Sequence, residues 1–416
     1  MGEGIDLRDP ALPTRLPDAF GTLRETDPVW SVTDGTWLVT RYEDVARLLK
    51  DRERCDTDIH DRRGYDTDRP FGAGSAMEIY QHGLLVNQGG THHRHHRAVF
   101  TEPFTRANVE REMTAVVARH AERLIAALPN DGEVDWVAEV ARPMPLSVFA
   151  ELFALPAEDA AWIFERVHED SVAFDVLLDP ALVPDTDIKR GERAMLELRS
   201  YLSDLAGQRR DEPGADLLSV MIVSTAERGD LIWDDGLSQS MEALTAGTGT
   251  TQALLNGMIE AFSGHPDQWR RVAADPDLLR PAVEEALRYV SPALAMGRIA
   301  KEDFELRGQP IRAGDVLQCG LLAANRDPRA FPEPDRLDVK RSPNRHVAFG
   351  GGVHTCVGSH LAKLEAREIL SRALRRWSRI EVDTSAIAME PMLMMRTYSE
   401  LPCAWSAVEV PVLPTP

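Results

Sequence analysis

The chain has 416 residues, 43% of them hydrophobic and 27% charged, with a formal net charge of −20. That length can bury a large core, and the acidic balance excludes nucleic acid and anionic membrane as bulk partners. Four cysteines (Cys55, Cys319, Cys356, Cys403) stand far apart with no Cys-x-x-Cys pair, which argues against a disulfide framework or zinc knuckle and for a reducing cytoplasm.

Met1 to Pro13 carries acids and prolines but no apolar segment, so neither a signal peptide nor a membrane anchor is expected. No linker, low-complexity run or repeat divides the chain. One domain over residues 1–416 is expected, ending in a Pro-rich tail at 411–416. Residues 28–40 read as a hairpin turning at Asp34-Gly35, followed by a helix from Tyr42 to Asp51. Residues 52–90 are irregular and too long for a connector, which points to function.

From about Arg106 to Val290 helical spacing dominates, broken near 129–133, 179–186 and 211–215. Within it, Asp234-Asp235 caps a helix running to Gly264, roughly 45 Å long. Its centre reads Ala246-Gly-Thr-Gly-Thr-Thr251. Two interior glycines cost about 1 kcal/mol each relative to alanine. Either small residues here permit close helix packing, or the helix opens locally over a ligand with hydroxyls turned inward.

A second β-rich patch spans 304–322: Phe304 to Leu306, Pro310 to Arg312 and Val316 to Leu322, divided by Arg307-Gly308 and Ala313-Gly314-Asp315 turns. A helix at 358–377 follows, then short strands over 380–410. The expected class is mainly α with a minor, antiparallel β-rich lobe.

Phe349-Gly-Gly-Gly-Val-His-Thr-Cys356-Val-Gly358 precedes that last helix, whose buried side is marked by Leu361, Leu364, Ile369 and Leu370. Three glycines permit positive φ and a close approach to a flat ligand. Cys356 stands just before the helix, where free N–H groups and partial positive charge lower a thiol's pKa. A thiolate there suits haem iron as an axial ligand, and its electron push favours O–O cleavage. The plain alternative is a buried structural cysteine. The full pattern, Phe-Gly-x-Gly-x-His-x-Cys-x-Gly, is met at Phe349, Gly350, Gly352, His354, Cys356 and Gly358, and it resembles the cysteine-ligand loop of the cytochrome P450 family.

The resemblance runs from the hairpin near Val29 to Leu401-Pro402 and implies the cytochrome P450 fold, with heme b held by Cys356. Glu285 and Arg288 resemble a structural ion cluster completed through Arg336. His93, Arg97, Arg298 and His354 match positions that bind the haem propionates. For the histidines at 92–96, a solvated basic face or an adventitious metal site is the alternative.

Ala246, Gly247, Thr250 and Thr251 match the family's oxygen-binding groove, in which Thr250 handles the distal proton. Gly249 stands where the family has an acid, leaving a larger and less charged hollow above the haem. The proton source then stays open: another residue, ordered water or a polar substrate group. Ring closure, coupling, desaturation or peroxide-driven oxidation are rivals to hydroxylation.

The resemblance implies O2 activation with two electrons from a ferredoxin and ferredoxin reductase. A basic face near Lys363, Arg367, Arg372, Arg375 and Arg376, with Arg94 and Arg97, would dock them, its charge offset by Glu365 and Glu368. It implies a bulky organic substrate met by 60–90, 168–190, 291–297 and 391–396, and an oxidative step in secondary metabolism. Arg62, Arg63, Asp66, Asp68 and Arg69 offer polar recognition. A non-catalytic recruiting module is the rival of another class; it has no need of a thiolate.

Overall fold

The computed structural model describes residues 5, 12–33, 35–58, 83–178, 183–210, 212–228, 233–390, 392 and 394–407. Most of the irregular 52–90 segment, with its arginines and aspartates, and the Pro-rich tail lie outside the described residues.

A helix not expected from the sequence, Leu12–Thr26, opens the structure. Pro13 falls in its first turn, where a missing N–H costs little, and Pro17 gives up one hydrogen bond. Burial of Leu12, Leu16, Phe20 and Leu23 against Leu38, Leu294 and Leu322 outweighs that loss.

The hairpin Val29–Thr33/Thr36–Val39 forms as expected, and Gly35 at φ +79° supplies the turn. Thr36–Val39 then pairs in parallel with Val316–Gly320, followed by Ala295–Ala300 and Cys55–Asp56 in antiparallel order. The lobe is therefore mixed rather than antiparallel, because the helical body itself forms the crossover between the parallel pair. The strand expected to reach Leu322 stops at Gly320, where Leu321–Asn325 turns helical. Phe304–Leu306 and Gln309–Ile311 close through Arg307 and Gly308, both at positive φ, the geometry of a two-residue hairpin turn.

The helix Trp233–Gly264, 32 residues and about 48 Å long, crosses the helical body. Its small residues serve packing. A Cβ on Gly247 would lie 2.4 Å from the Phe149 ring, and one on Gly257 would lie 2.4 Å from Val290. Neither site has room for a side chain, which accounts for two glycines that helix propensity alone would reject.

Beneath it, on helix Leu279–Val290, Arg288 donates to both oxygens of Glu285 at 2.8 Å and to the carbonyls of Asn325, Pro334 and Arg336. The third member is not Arg336 but Arg341, whose Nε donates to Glu285 at 3.1 Å. The side chain of Arg336 is half exposed and pairs with Glu333; its carbonyl alone enters the network. Asp338 N and Asn344 Nδ2 add two more donors to Glu285, so this buried carboxylate is saturated. The cluster clamps the segment that leads into the cysteine loop.

Candidate active site

The loop before helix Ser359–Arg376 is closed by Cys356 N donating to Phe349 O at 3.0 Å. Gly350 and Gly352 sit at φ +69° and +71°, as the glycine run predicts. Gly352 also approaches protein closely: a Cβ there would lie 2.7 Å from the carbonyl oxygen of Leu49.

Cys356 lines a cavity of about 320 Å³ between this loop and the long helix. The other three cysteines are buried elsewhere, and desolvation pushes the thiols of Cys55 and Cys319 up to about 12 and about 11. Desolvation also pushes the Cys356 thiol up. The N–H groups of Gly358 and Ser359 and the charge of Arg97 act in the opposite sense. A bound metal ion would complete what they begin, since coordination deprotonates a thiol.

Arg97, Arg298 and His354 line one edge of this cavity, and His93 packs against His354. The His93 and His354 rings are 4.0 Å apart, Arg97 donates to Thr355 O at 2.7 Å, and Arg298 donates to Leu49 O at 3.1 Å. Burial first, then neighbouring positive charge, depresses His93 to about 4 and His354 to about 3. The buried Nε2 of His93 has no partner among the described residues. Asp56 is the carboxylate whose charge reaches His93 and Arg298. An edge so rich in donors and cations is built for added anionic oxygen. The alternative metal site at 92–96 does not form: His96 turns to Asp235 at 3.6 Å, and no cluster of three metal-binding side chains occurs among the described residues.

On the opposite wall Ala246, Gly247, Thr250 and Thr251 line the cavity. Thr250 Oγ1 donates to Ala246 O at 2.6 Å, keeping the hydroxyl on the cavity face of its own helix. Gly249 does not open onto the cavity. A Cβ there would meet Met395 at 3.5 Å, an ordinary van der Waals contact, so Met395 borders the space the missing acid would enter.

Two functional candidates escaped sequence reasoning. Glu365, read there as a solvent-facing offset to the basic helix, is buried on the cavity wall, and neither oxygen has a partner among the described residues. Its place four residues after Leu361 on the apolar face was the available signal. Glu242, at i−4 from Ala246 and i−8 from Thr250, also lines the cavity and accepts the N–H of Leu85 at 2.6 Å.

Burial raises the Glu242 carboxyl to about 7, against the lowering effect of the Leu85 and Val86 amides. Its folded pKa then exceeds its unfolded value of about 4.5, so the folded state holds the extra proton between those values. This contribution to stability is present below about pH 4.5 and lost as pH rises through 7, a total of ~3 kcal/mol. The stability of wild type relative to Glu242→Gln is therefore expected to fall by about that amount between pH 4.5 and pH 8 in urea unfolding. A flat difference would show that the carboxyl titrates normally.

Of the segments expected to meet substrate, Leu85, Val86, Asn87, Phe174, Ala293, Met296, Met394 and Met395 reach the cavity. On the basic face, several cations are already engaged. Lys363 pairs with Glu284 at 2.7 Å, and Arg372 bonds Glu122 and Glu368. Arg376 donates to the carbonyls of Ile125 and Leu128, closing the end of helix Thr114–Ala127.

A family profile described as Cytochrome P450 matches residues 24–401. The chain belongs to the cytochrome P450 family. It is 34% identical to a vitamin D(3) 25-hydroxylase of Pseudonocardia autotrophica over 92% of both chains. It is 32% identical to a mycinamicin IV hydroxylase/epoxidase of Micromonospora griseorubida, covering 94% of this chain and 96% of the relative. The solved structure of the bacillaene polyketide synthase cytochrome P450 PksS of Bacillus subtilis superposes with a TM-score of 0.86 at 26% identity, over 97% of this chain and 100% of that one. The P450 is a haem-thiolate monooxygenase, and the cavity fits that cofactor. A thiol stands at its floor, the half-buried Arg97 and the buried Arg298 line its edge, and the orphaned Nε2 of His93 belongs to a ring packed on His354 of the same edge.

Proposed function

We propose that this P450 hydroxylates, or otherwise oxidatively tailors, a bulky and mainly apolar organic molecule of secondary metabolism. The observation that carries the reading is the thiol of Cys356 opening into an apolar-walled cavity of about 320 Å³ beneath Thr250. Haem bound there would supply the activation of O2 with two electrons. Cys356 would hold its iron; His93, Arg97, Arg298 and His354 would hold its propionates, while Phe349, Gly350 and Gly358 shape the loop. Phe174, Ala293, Met296, Met394 and Met395 make a deformable apolar wall that excludes water and orients substrate.

Thr250 holds a proton at Oγ1 on the cavity face, with Thr251 beside it. Glu365 stands on the helix that follows Cys356, on the cysteine side of the cavity rather than on the Thr250 wall, and so does not replace an acid at position 249.

We read the chain as one catalytic domain in the cytoplasm; among the described residues no helix is long and apolar enough to cross a membrane. Bacterial P450s draw electrons from redox partners. The reading here is a ferredoxin, fed by its reductase, docking near Lys363 and Arg367. The test is turnover with a bacterial ferredoxin and reductase on vitamin D3 and mycinamicin IV, the substrates named for the two relatives. A product carrying one added oxygen is expected from at least one scaffold, with Arg367→Glu slowing reduction of the haem roughly tenfold at low salt. Failure of both, together with no spectral response to either compound, would count against the substrate class.

A further inference from the structure

An acid at position 242 is a costly choice. The side chain is buried, no cation among the described residues contributes to its environment, and nothing in the oxidation chemistry described above employs it. What it does hold is backbone. Its Oε2 accepts the N–H of Leu85 at 2.6 Å and its Oε1 the N–H of Val86 at 3.4 Å, both at the start of the short turn Leu85–Asn87. One turn earlier on the same helix, Ser238 fills the space a side chain on Gly83 would need: a Cβ there would lie 2.6 Å from Ser238. The stretch 83–86 is thus seated on the long helix at two successive turns.

The same stretch is tied at its other end. Gln88 Nε2 donates to Gly83 O at 3.2 Å, and Thr57 donates its hydroxyl hydrogen to Gln88 O at 2.8 Å. Thr57 Oγ1 also lies 3.1 Å from His354 Nε2. Because the hydroxyl has one hydrogen and spends it on Gln88, His354 must be the donor in that contact. A continuous line of hydrogen bonds and backbone runs from Glu242, through 83–88 and Thr57, to His354 in the cysteine loop. Gly90 then begins the helix Gly90–Thr101 that carries His93 and Arg97.

We propose that Glu242 is a positioning residue: its carboxyl anchors the 83–88 wall to the long helix and thereby sets the shape of the cavity and the placement of His354 and of helix Gly90–Thr101. An apolar residue at 242 would leave the Leu85 and Val86 amides facing an apolar wall. A glutamine would satisfy one amide and oppose the other with its own NH2. The role deepens the reading of the cavity as the haem and substrate chamber and rests on it for its consequence, but the anchoring itself does not depend on chemistry.

The test is amide hydrogen exchange on the holoenzyme in wild type, Glu242→Gln and Glu242→Met, with binding of imidazole and of 4-phenylimidazole to the haem measured alongside. Exchange across 83–89 is expected to rise roughly tenfold or more in Glu242→Met and less in Glu242→Gln, with helix Leu279–Val290 unchanged. The ratio of the two imidazole affinities is expected to shift at least about fivefold, because the larger probe reads the wall and the smaller one reads the iron alone. Unchanged exchange at 83–89, or a uniform rise across the protein, would overturn the anchor. An unshifted affinity ratio would overturn its effect on the cavity. Should Glu242→Met fail to accumulate, Glu242→Gln decides both points at smaller amplitude. A wild-type protein that binds no haem would sink the oxidation reading yet leave the exchange result decisive for the anchor.

Discussion

Replacing Cys356 with serine is expected to remove the red-shifted Soret band of the ferrous carbon monoxide complex and to lower turnover about a thousandfold or more, ~4 kcal/mol in the barrier. The large effect follows from what the sulfur contributes. Thiolate donation is an electronic property that an alcohol of similar size lacks, whereas the loop that presents it is held by backbone. Cys356 N bonds Phe349 O, and Gly350 and Gly352 keep positive φ whatever side chain stands at 356. The serine variant should therefore keep its fold and lose its chemistry. Circular dichroism and the carbon monoxide spectrum on the same sample separate the two. Retention of the band would require another cysteine to reach the cavity, and Cys55, Cys319 and Cys403 are buried away from it.

The second large effect is expected in stability. Arg341→Met should lower the unfolding free energy by about 3 kcal/mol, because it withdraws one of the charged partners of the buried Glu285. Arg336→Met should stay within ~0.5 kcal/mol: that side chain is half exposed, and the carbonyl that Arg288 and Arg341 use survives the substitution. Urea unfolding of the two variants side by side distinguishes the alternatives. Equal losses would restore Arg336 to the cluster. The consequence extends to the cavity, since Arg341 also donates to the carbonyls of Pro332 and Glu333 and so ties down the segment running into Phe349.

The contrast between these arginines shows where sequence reading stopped. Both stand within a few residues of each other in a segment without regular structure, where neither 3.6- nor 2-residue periodicity assigns a face. Which one turns inward depends on the path of the chain over helix Leu279–Val290. Glu365 failed differently. Its helix was located correctly, but a glutamate was assigned to solvent by residue type although its spacing from Leu361 placed it on the buried side. At Gly249 the missing acid was legible, but not its neighbour Met395, which arrives there from 146 residues further along the chain.

What the sequence determined by itself was local. The glycine-spaced cysteine loop, the hairpin at 28–40, the long helix with its irregular centre and the helix after Cys356 all depend on φ preferences and periodicity within a few residues. What only the tertiary structure decided was which distant groups share a boundary. It set the parallel pairing of Thr36–Val39 with Val316–Gly320, the ring of Phe149 over Gly247, and the anchoring of 83–88 on Glu242. These are contacts between segments far apart in the chain. Burial there follows from how helices cross and strands meet, and no local pattern encodes which polar atom will be left facing a cavity.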